Sequence, residues 1–157
     1  MDGYNFVARP HKSVGLKPFR SGGDGLEAQL ALGKRLAEAA YRLRYEAYRS
    51  YGYIGDRPGG LYSDSYDAQA NSRTAIVFRQ DAPAATVRIT VHDPASVDSD
   101  YHKMPAMEIF GDEIKATMAA LRLNGRNPRA VEIGRLVRSP AYVKNFAIVF
   151  ALFRTAG

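Results

Sequence analysis

One apolar segment of the chain, Val131–Arg138, carries an acid and a base three residues apart, Glu132 and Arg135. Its β-branched residues, bounded on both sides by turn-forming residues, predict a strand. Because side chains alternate across a strand, we expect Glu132 and Gly134 to face one side of the sheet and Arg135 the other. Each charge needs a partner there, since an unpaired buried charge is costly. The two residues therefore belong to a catalytic site, or they are a structural or solvated ion pair.

Two further pairs of residues have a spacing that suits chemistry. Arg44 and Tyr48 are four residues apart on a predicted helix, so a guanidinium and a phenol share one face. The alternative is a solvated arginine beside core tyrosines. Asp64 and Asp67 are three apart in a predicted loop, where two carboxylates hold a cationic amine, a metal ion or only water.

Several classes of site are excluded by what the sequence lacks. There is no cysteine, which removes disulfides, thiolate metal sites and a cysteine nucleophile. His11, His92 and His102 have no metal-ligand spacing, and neither a Ser-His-Asp arrangement nor a glycine-rich phosphate motif is present. The sequence therefore predicts no metal site.

Length and charge place the chain among ordinary single-domain proteins. It has 157 residues and a formal net charge of +6, with 46% hydrophobic and 24% charged residues. The arginines are scattered, so we expect no nucleic-acid partner and favour an acidic protein partner or cofactor phosphates. No apolar run is long enough to span a membrane. The first residues lack the apolar core of a secretory signal, so we expect a cytoplasmic protein.

Hydrophobic periodicity and turn-forming residues predict the helices and strands that position these residues. Residues 1–25 are predicted to be a flexible leader, with a short strand at Val14–Phe19. Residues 26–157 form the domain. The longest helix is predicted at Leu26–Tyr51, capped by Asp24, and a long loop follows to Ser72.

The second half of the chain alternates between strands and helices. Two strands joined by a short polar connection predict an antiparallel hairpin, and a helix with core positions Ile109, Ile114, Met118, Leu121 and Leu123 precedes the last strand. The predicted ranges are Thr74–Phe78 and Ala85–Val91 for the hairpin, Met107–Leu123 for the helix, 130–137 for the last strand and Lys144–Arg154 for the final helix. The final helix is apolar on nearly every side, with little left to bury it. Either the chain is a fragment whose later strands are missing, which we favour, or a partner chain covers the helix.

The order of the candidate residues resembles the signature of acyl-homoserine-lactone synthases and their relatives, the long-chain N-acyl amino acid synthases. In that family an arginine and, four residues later, an aromatic side chain lie on the first long helix, as Arg44 and Tyr48 do. Two aspartates spaced by three follow in the next loop, matched by Asp64 and Asp67. The resemblance covers about residues 35 to 155.

Two further motifs complete the resemblance. An arginine on the strand after the hairpin turn is matched by Arg88 in the run Thr-Val-Arg-Ile, and a Glu-x-Ser-Arg run on the fourth strand is matched by Glu132 to Arg135. Gly134 stands where lactone synthases usually have serine, and the chain has no tryptophan where they have one. The resemblance is therefore closer to the N-acyl amino acid synthases.

The resemblance implies an α/β fold of the GNAT-like type, with a mixed, mostly antiparallel sheet flanked by helices. It implies an N-acyltransferase that moves a long-chain fatty acyl group from an acyl carrier protein thioester to the amine of an amino acid. Glu132 and Arg135 are then catalytic, with Glu132 as base, directly or through a water. The residues expected to bind substrate are Arg44, Tyr48, Asp64, Asp67 and Arg88.

The donor is expected to be an acyl-phosphopantetheine thioester, on a carrier protein or on coenzyme A, with no tightly bound cofactor. The segment after the last strand lacks the glycine-rich loop of acetyl-CoA-dependent relatives, which favours the carrier protein. Carrier proteins are acidic, and the positive charge of this chain suits them. The alternatives are a lactone synthase, an acetyl-CoA-dependent N-acetyltransferase, or a non-catalytic module that binds a carrier protein or nucleic acid.

Overall fold

The structure, a computed structural model, describes residues 19–20, 25–122, 125, 127–142 and 144–156. In this part of the chain, an antiparallel sheet runs in sequence order through β1 (Phe19–Arg20), β2 (Leu26–Leu30), β3 (Ser72–Arg79), β4 (Ala82–His92) and β5 (Ala130–Arg138). The helices are α1 (Lys34–Ser50), α2 (Pro105–Arg122) and α3 (Phe146–Ala156). The α/β fold with an antiparallel sheet flanked by helices is confirmed.

The predicted start of the first helix is wrong. Residues Leu26–Leu30 form β2 and pair with β3, and α1 begins only at Lys34 after Gly33, whose φ is 77°. Leucine, glutamate, alanine and glutamine favour a helix locally, but pairing with β3 buries Leu26 and Ala28 on one face. Asp24, and all but the last residue of the Val14–Phe19 strand, lie outside the described residues. Phe19 and Arg20 pair with β2.

The predicted hairpin is confirmed and extends beyond its predicted ends. Strands β3 and β4 are joined by Gln80 and Asp81, both with positive φ (49° and 65°), which is the backbone of a tight hairpin turn. Register places Thr74 opposite Arg88 and Ala75 opposite Val87. The two pairs therefore lie on opposite faces of the sheet.

The two faces of the sheet are covered by different helices. Helix α3 packs on β2, β3 and β4, burying Ile148 and Leu152 against Val77 and Val87. Helix α1 packs on the other face, where Tyr41 and Ala40 meet Ile76. The expectation that the final helix has little to bury it is therefore wrong for one side of α3. Its outward residues Phe146 and Phe150 are exposed.

Helix α2 buries little of its apolar surface. Of its predicted core positions, Met118 is buried, whereas Ile109 and Leu121 are exposed and Ile114 is half-buried. Leu123 lies outside the described residues. The prediction of an inward apolar stripe is wrong because α2 packs mainly on β5, at the edge of the described sheet, and kinks at Phe110. In the part of the chain that the structure describes, no helix has the length and apolarity needed to cross a membrane.

Candidate active site

Three arginines and two aspartates meet on the α1 face of the sheet. Arg44 comes from α1, Arg88 from β4 and Arg135 from β5, while Asp64 and Asp67 lie in the loop before β3. The two aspartates are held by a short 3-10 helix, Ser65–Ala68. Five residues from four separate segments of the chain therefore share one ion cluster, which is buried at Arg44, Arg88 and Asp67 and partly exposed at Asp64 and Arg135.

Asp67 lies at the buried end of the cluster. Its Oδ1 accepts from Nη1 of Arg44 over 2.7 Å and lies 3.4 Å from Nη1 of Arg88. Its Oδ2 accepts from the backbone N–H of Asp64 over 3.0 Å, as in a capping box. Arg44 also donates from Nη2 to the hydroxyl of Thr74 over 3.0 Å. Both oxygens of Asp67 are thus engaged within the protein.

Asp64 lies nearer the surface and bridges two strands. Its Oδ1 accepts from Arg88 over 2.5 Å, and its Oδ2 accepts from Nη2 and Nε of Arg135 over 2.6 and 3.1 Å. Burial raises the pKa of Asp64, but the hydrogen bonds and charges of Arg135 and Arg88 outweigh it, so the pKa lies below its ordinary value. Asp64 is therefore an ionised carboxylate that holds the guanidinium groups in place.

Each guanidinium of the cluster also lies over a tyrosine ring. The distances from guanidinium carbon to ring centroid are 5.2 Å for Arg44 over Tyr41, 5.6 Å for Arg88 over Tyr66 and 5.2 Å for Arg135 over Tyr62. Tyr48 meets the Tyr62 ring edge-on at 5.0 Å. Burial lowers the pKa of Arg135, but hydrogen bonds with Asp64 and Tyr48 raise it above its ordinary value. The cluster is thus fixed by ion pairs and aromatic faces together.

The position of Arg135 depends on a β-bulge. Strand β5 pairs with β4 at Thr86–Val137 and again at Arg88–Gly134. Between these two pairs, β5 has two residues and β4 has only one, which is a β-bulge. Arg135 has a φ of 54°, in the left-handed region. The prediction that Arg135 faces away from Glu132 and Gly134 is wrong, because the bulge breaks the alternation and turns the guanidinium to Asp64 on the α1 face.

Glu132 is placed differently from the two aspartates. It pairs with Thr90, two pairs along from Arg88 and Gly134, and therefore lies on the same face as the cluster. Its Oε2 accepts from the backbone N–H of Ala106 in the first turn of α2 over 2.7 Å. Within the described residues, no arginine or lysine forms an ion pair with it. Glu132 is thus a carboxylate next to the cluster that is held by a backbone amide.

The structure adds two residues that the sequence did not single out, Tyr66 and Glu108. The Tyr66 hydroxyl donates to Oε1 of Glu108 in the first turn of α2. Burial and this hydrogen bond raise the pKa of Tyr66 to about 12, and the charge of Glu132 adds to the effect. The position of Tyr66 between Asp64 and Asp67 was a signal that could have drawn attention to it. No local pattern marked Glu108, which is 42 residues away.

The whole arrangement has two charged zones side by side. In the cluster, three guanidinium groups face two carboxylates, which leaves one positive charge. Next to it lie Glu108, which is joined to the cluster through Tyr66, and Glu132, which is held by the amide of Ala106. All seven residues predicted from the sequence are thus brought together, with Tyr48 reaching Arg135. Such a site suits a ligand that carries both an ammonium and a carboxylate.

No group of three or more possible metal ligands occurs among the described residues. A surface depression lined by Tyr45, Glu46, Arg49 and Ser50 shares no residue with the cluster. Neither observation adds a second centre to the arrangement around Asp64.

Comparisons with known proteins agree with this architecture. In sequence, a comparison with curated proteins gives no match. Among solved structures, the chain is similar to FeeM, an N-acyl amino acid synthase from uncultured soil microbes, with a TM-score of 0.52 and 18% identity. The match covers 78% of this chain and 56% of that one, so the chain spans little more than half the length of that relative. At this identity the likeness shows the GNAT-like fold alone.

A family model gives the stronger result. The model described as N-acyl amino acid synthase FeeM matches residues 39–156, which include every residue of the ion cluster as well as Glu132 and Glu108. This range is well over half of the 157 residues. The chain therefore belongs to the FeeM family of N-acyl amino acid synthases.

Proposed function

We propose that this chain is an N-acyltransferase that moves a long-chain fatty acyl group from a phosphopantetheine thioester to the amine of a free amino acid. The observation that carries the proposal is the position of Glu132. It is an acid on the face of the cluster that no described basic side chain neutralises, beside three guanidinium groups. The family match supports the reaction class.

In this reaction, the acceptor's neutral amine attacks the thioester carbonyl carbon, the C–S bond breaks, and the thiol leaves with a proton. Glu132 takes the proton that the nitrogen loses, directly or through one water. It is suited to this because its second oxygen, Oε1, is free of any hydrogen bond to the described protein. The products are an N-acyl amino acid and the free thiol.

The two charged zones would orient the acceptor. The ammonium lies near Glu132 and Glu108 before deprotonation, and the carboxylate lies against Arg135, whose side chain is 31% exposed and reachable. Asp64 and Asp67 were expected to hold the ammonium, but their oxygens already accept from arginines and backbone amides. Their proposed role is to fix Arg44, Arg88 and Arg135, with Tyr48 steadying Arg135.

For the donor, we propose an acyl carrier protein in preference to coenzyme A. The described segment after β5 runs through a short 3-10 helix, Pro140–Tyr142, into α3, and it has no glycine. It therefore lacks the backbone-amide nest that binds a pyrophosphate. The net charge of +6 favours an acidic carrier. Such a donor implies the cytoplasm as the site of action.

The test is mass spectrometry of lipid extracts from cells that express the protein, its Glu132→Gln variant or its Glu113→Gln variant. Glu113 is an exposed glutamate on α2 and makes the same chemical change away from the cluster. We expect new long-chain N-acyl amino acids with the protein and with Glu113→Gln, and a loss of about 100-fold or more with Glu132→Gln. Equal product from Glu132→Gln would remove Glu132 from the mechanism. Acetylated products would show that the donor carries an acetyl group and not the proposed long-chain acyl group.

A further inference from the structure

Gly134 lies directly under the carboxylate of Glu132. A Cβ built on Gly134 would be 3.1 Å from Oε1 of Glu132, closer than ordinary van der Waals contact. At the same time, Oε2 of Glu132 accepts from the N–H of Ala106 over 2.7 Å. The carboxylate is thus held between a backbone amide on one side and a residue without a side chain on the other.

The backbone conformation at position 134 does not require a glycine. Gly25, Gly33, Gly52, Gly59, Gly60 and Gly125 have positive φ, whereas Gly134 does not, so any residue could adopt its backbone angles. Gly134 is paired opposite Arg88 in the middle of strand β5, where a glycine is unfavourable for strand stability. The atom that a side chain would meet is Oε1 of Glu132.

A side chain at position 134 would move Glu132, not the strand. The strand is held by its ladder with β4, whereas the glutamate carboxylate is the free end of a flexible side chain. To regain normal contact distance, the carboxylate would have to move away from position 134 by a few tenths of an ångström. Such a movement would weaken its hydrogen bond with the amide of Ala106, which is now 2.7 Å long.

We infer that Gly134 is a positioning residue, whose missing side chain lets Glu132 rest on the amide of Ala106 in the orientation that proton transfer needs. This inference rests on the proposed role of Glu132 as base. It applies to the residue in which this chain departs from the Glu-x-Ser-Arg pattern of the lactone synthases. Gly134 touches no substrate and acts only through Glu132.

The direct test is the amide resonance of Ala106 in the ¹⁵N-¹H spectrum of the protein and of its Gly134→Ala variant. We expect the Ala106 amide proton to move upfield in the variant, because its hydrogen bond to the carboxylate is weakened. Gly55→Ala is the matched control, since its Cβ meets no atom within 4 Å. An unmoved Ala106 resonance in Gly134→Ala would overturn the inference.

The kinetic test distinguishes a positioning role of Gly134 from a general loss of native structure. We expect Gly134→Ala to lower kcat about tenfold or more while KM for the acyl donor stays within about twofold, since only the geometry around Glu132 is altered. Ala106→Pro removes the same N–H from the opposite side, at a helix position that tolerates proline, and should have the same effect. This second variant keeps the test decisive if Gly134→Ala does not fold.

The two proposals fail in different ways. An active Glu132→Gln variant would contradict the proposed function. An inactive Glu132→Gln variant beside fully active Gly134→Ala and Ala106→Pro variants would leave the proposed function standing and overturn the positioning role alone.

Discussion

The two faces of the sheet differ in the side chains that they bury. On the α3 face, the interior consists of aliphatic side chains such as Val77, Val87 and Leu152, with no charged group in the cluster. On the α1 face, β4 presents Thr86, Arg88 and Thr90, all buried. One strand, β4, therefore has an apolar side and a charged side only one residue apart. Both faces therefore contribute hydrophobic stabilisation, since Ala40 and Tyr41 also pack on Ile76, but only the α1 face in addition holds the cluster of ion pairs in fixed positions.

Hydrogen bonding of buried polar atoms is also less complete on the α1 face than on the α3 face. The Nε atoms of Arg44 and Arg88 are buried without a hydrogen-bond partner in the described protein. Unpaired buried donors reduce stability, and folded proteins contain few of them. Their presence beside Asp64 and Asp67 is consistent with a face arranged for binding and chemistry more than for stability.

The largest effect on stability is expected from removing the charge of Arg44 on the α1 face. Arg44→Met should lower the free energy of unfolding by about 3–5 kcal/mol, because Asp67 is left as a buried charge that has lost its nearest partner. Urea denaturation measures this. Arg42→Met, an exposed arginine on the same helix, is the matched control and should change stability by less than about 0.5 kcal/mol. Equal losses in both variants would contradict the buried position of Arg44.

A smaller loss is expected on the apolar face. Leu152→Ala should lower the free energy of unfolding by about 2–4 kcal/mol through lost burial and the cavity it leaves. The activity of the folded fraction should not change, because Leu152 contacts the opposite side of the sheet. Phe150→Ala, on the exposed side of α3, should have little effect. A large loss at Phe150 would show that this side is buried in solution.

The smallest expected effect on stability comes from the titration of Asp64 on the α1 face. It makes the free energy of unfolding depend on pH. Its folded-state pKa is lowered, so its contribution to stability is fully present above its unfolded-state pKa of about 3.9 and is lost as the pH falls through the lower folded value. Urea midpoints measured between about pH 5 and pH 2 should therefore fall with acid.

Two variants isolate this contribution. Asp64→Asn should be less stable than the parent protein near pH 5 and should show a weaker dependence on pH. Leu152→Ala should keep the parent's dependence at a lower overall stability. If Asp64→Asn and the parent protein have the same slope, the acid sensitivity arises elsewhere.

Much of the charged face could be predicted because its residues carry local signals. Arg44 and Tyr48 have helical spacing, Asp64 and Asp67 have the spacing of a capping box, and Glu132 interrupts an apolar strand. The hairpin was predictable from its turn, and the final helix from its composition. In each case the pattern within a few residues determines the local structure.

The rest could not be predicted because it depends on pairing between distant segments. The residues of β2 favour a helix by propensity, and only their ladder with β3 makes them a strand. The bulge that turns Arg135 towards Asp64 arises from the register between β4 and β5. The contact of Tyr66 with Glu108 joins two segments with no shared pattern.

The sequence-ordered sheet has a consequence for the folding of this protein. The hairpin of β3 and β4 forms from neighbouring residues, whereas the bonds of Asp64 and Asp67 to the arginines span 23, 24 and 71 residues. Contacts between distant residues form late, because long loops must first be closed. We therefore expect the apolar hairpin core to nucleate folding, and the bond between Arg135 and Asp64 to close last. The complete ion cluster is then the final feature that the folding chain acquires, and we expect it to be the first that local opening removes.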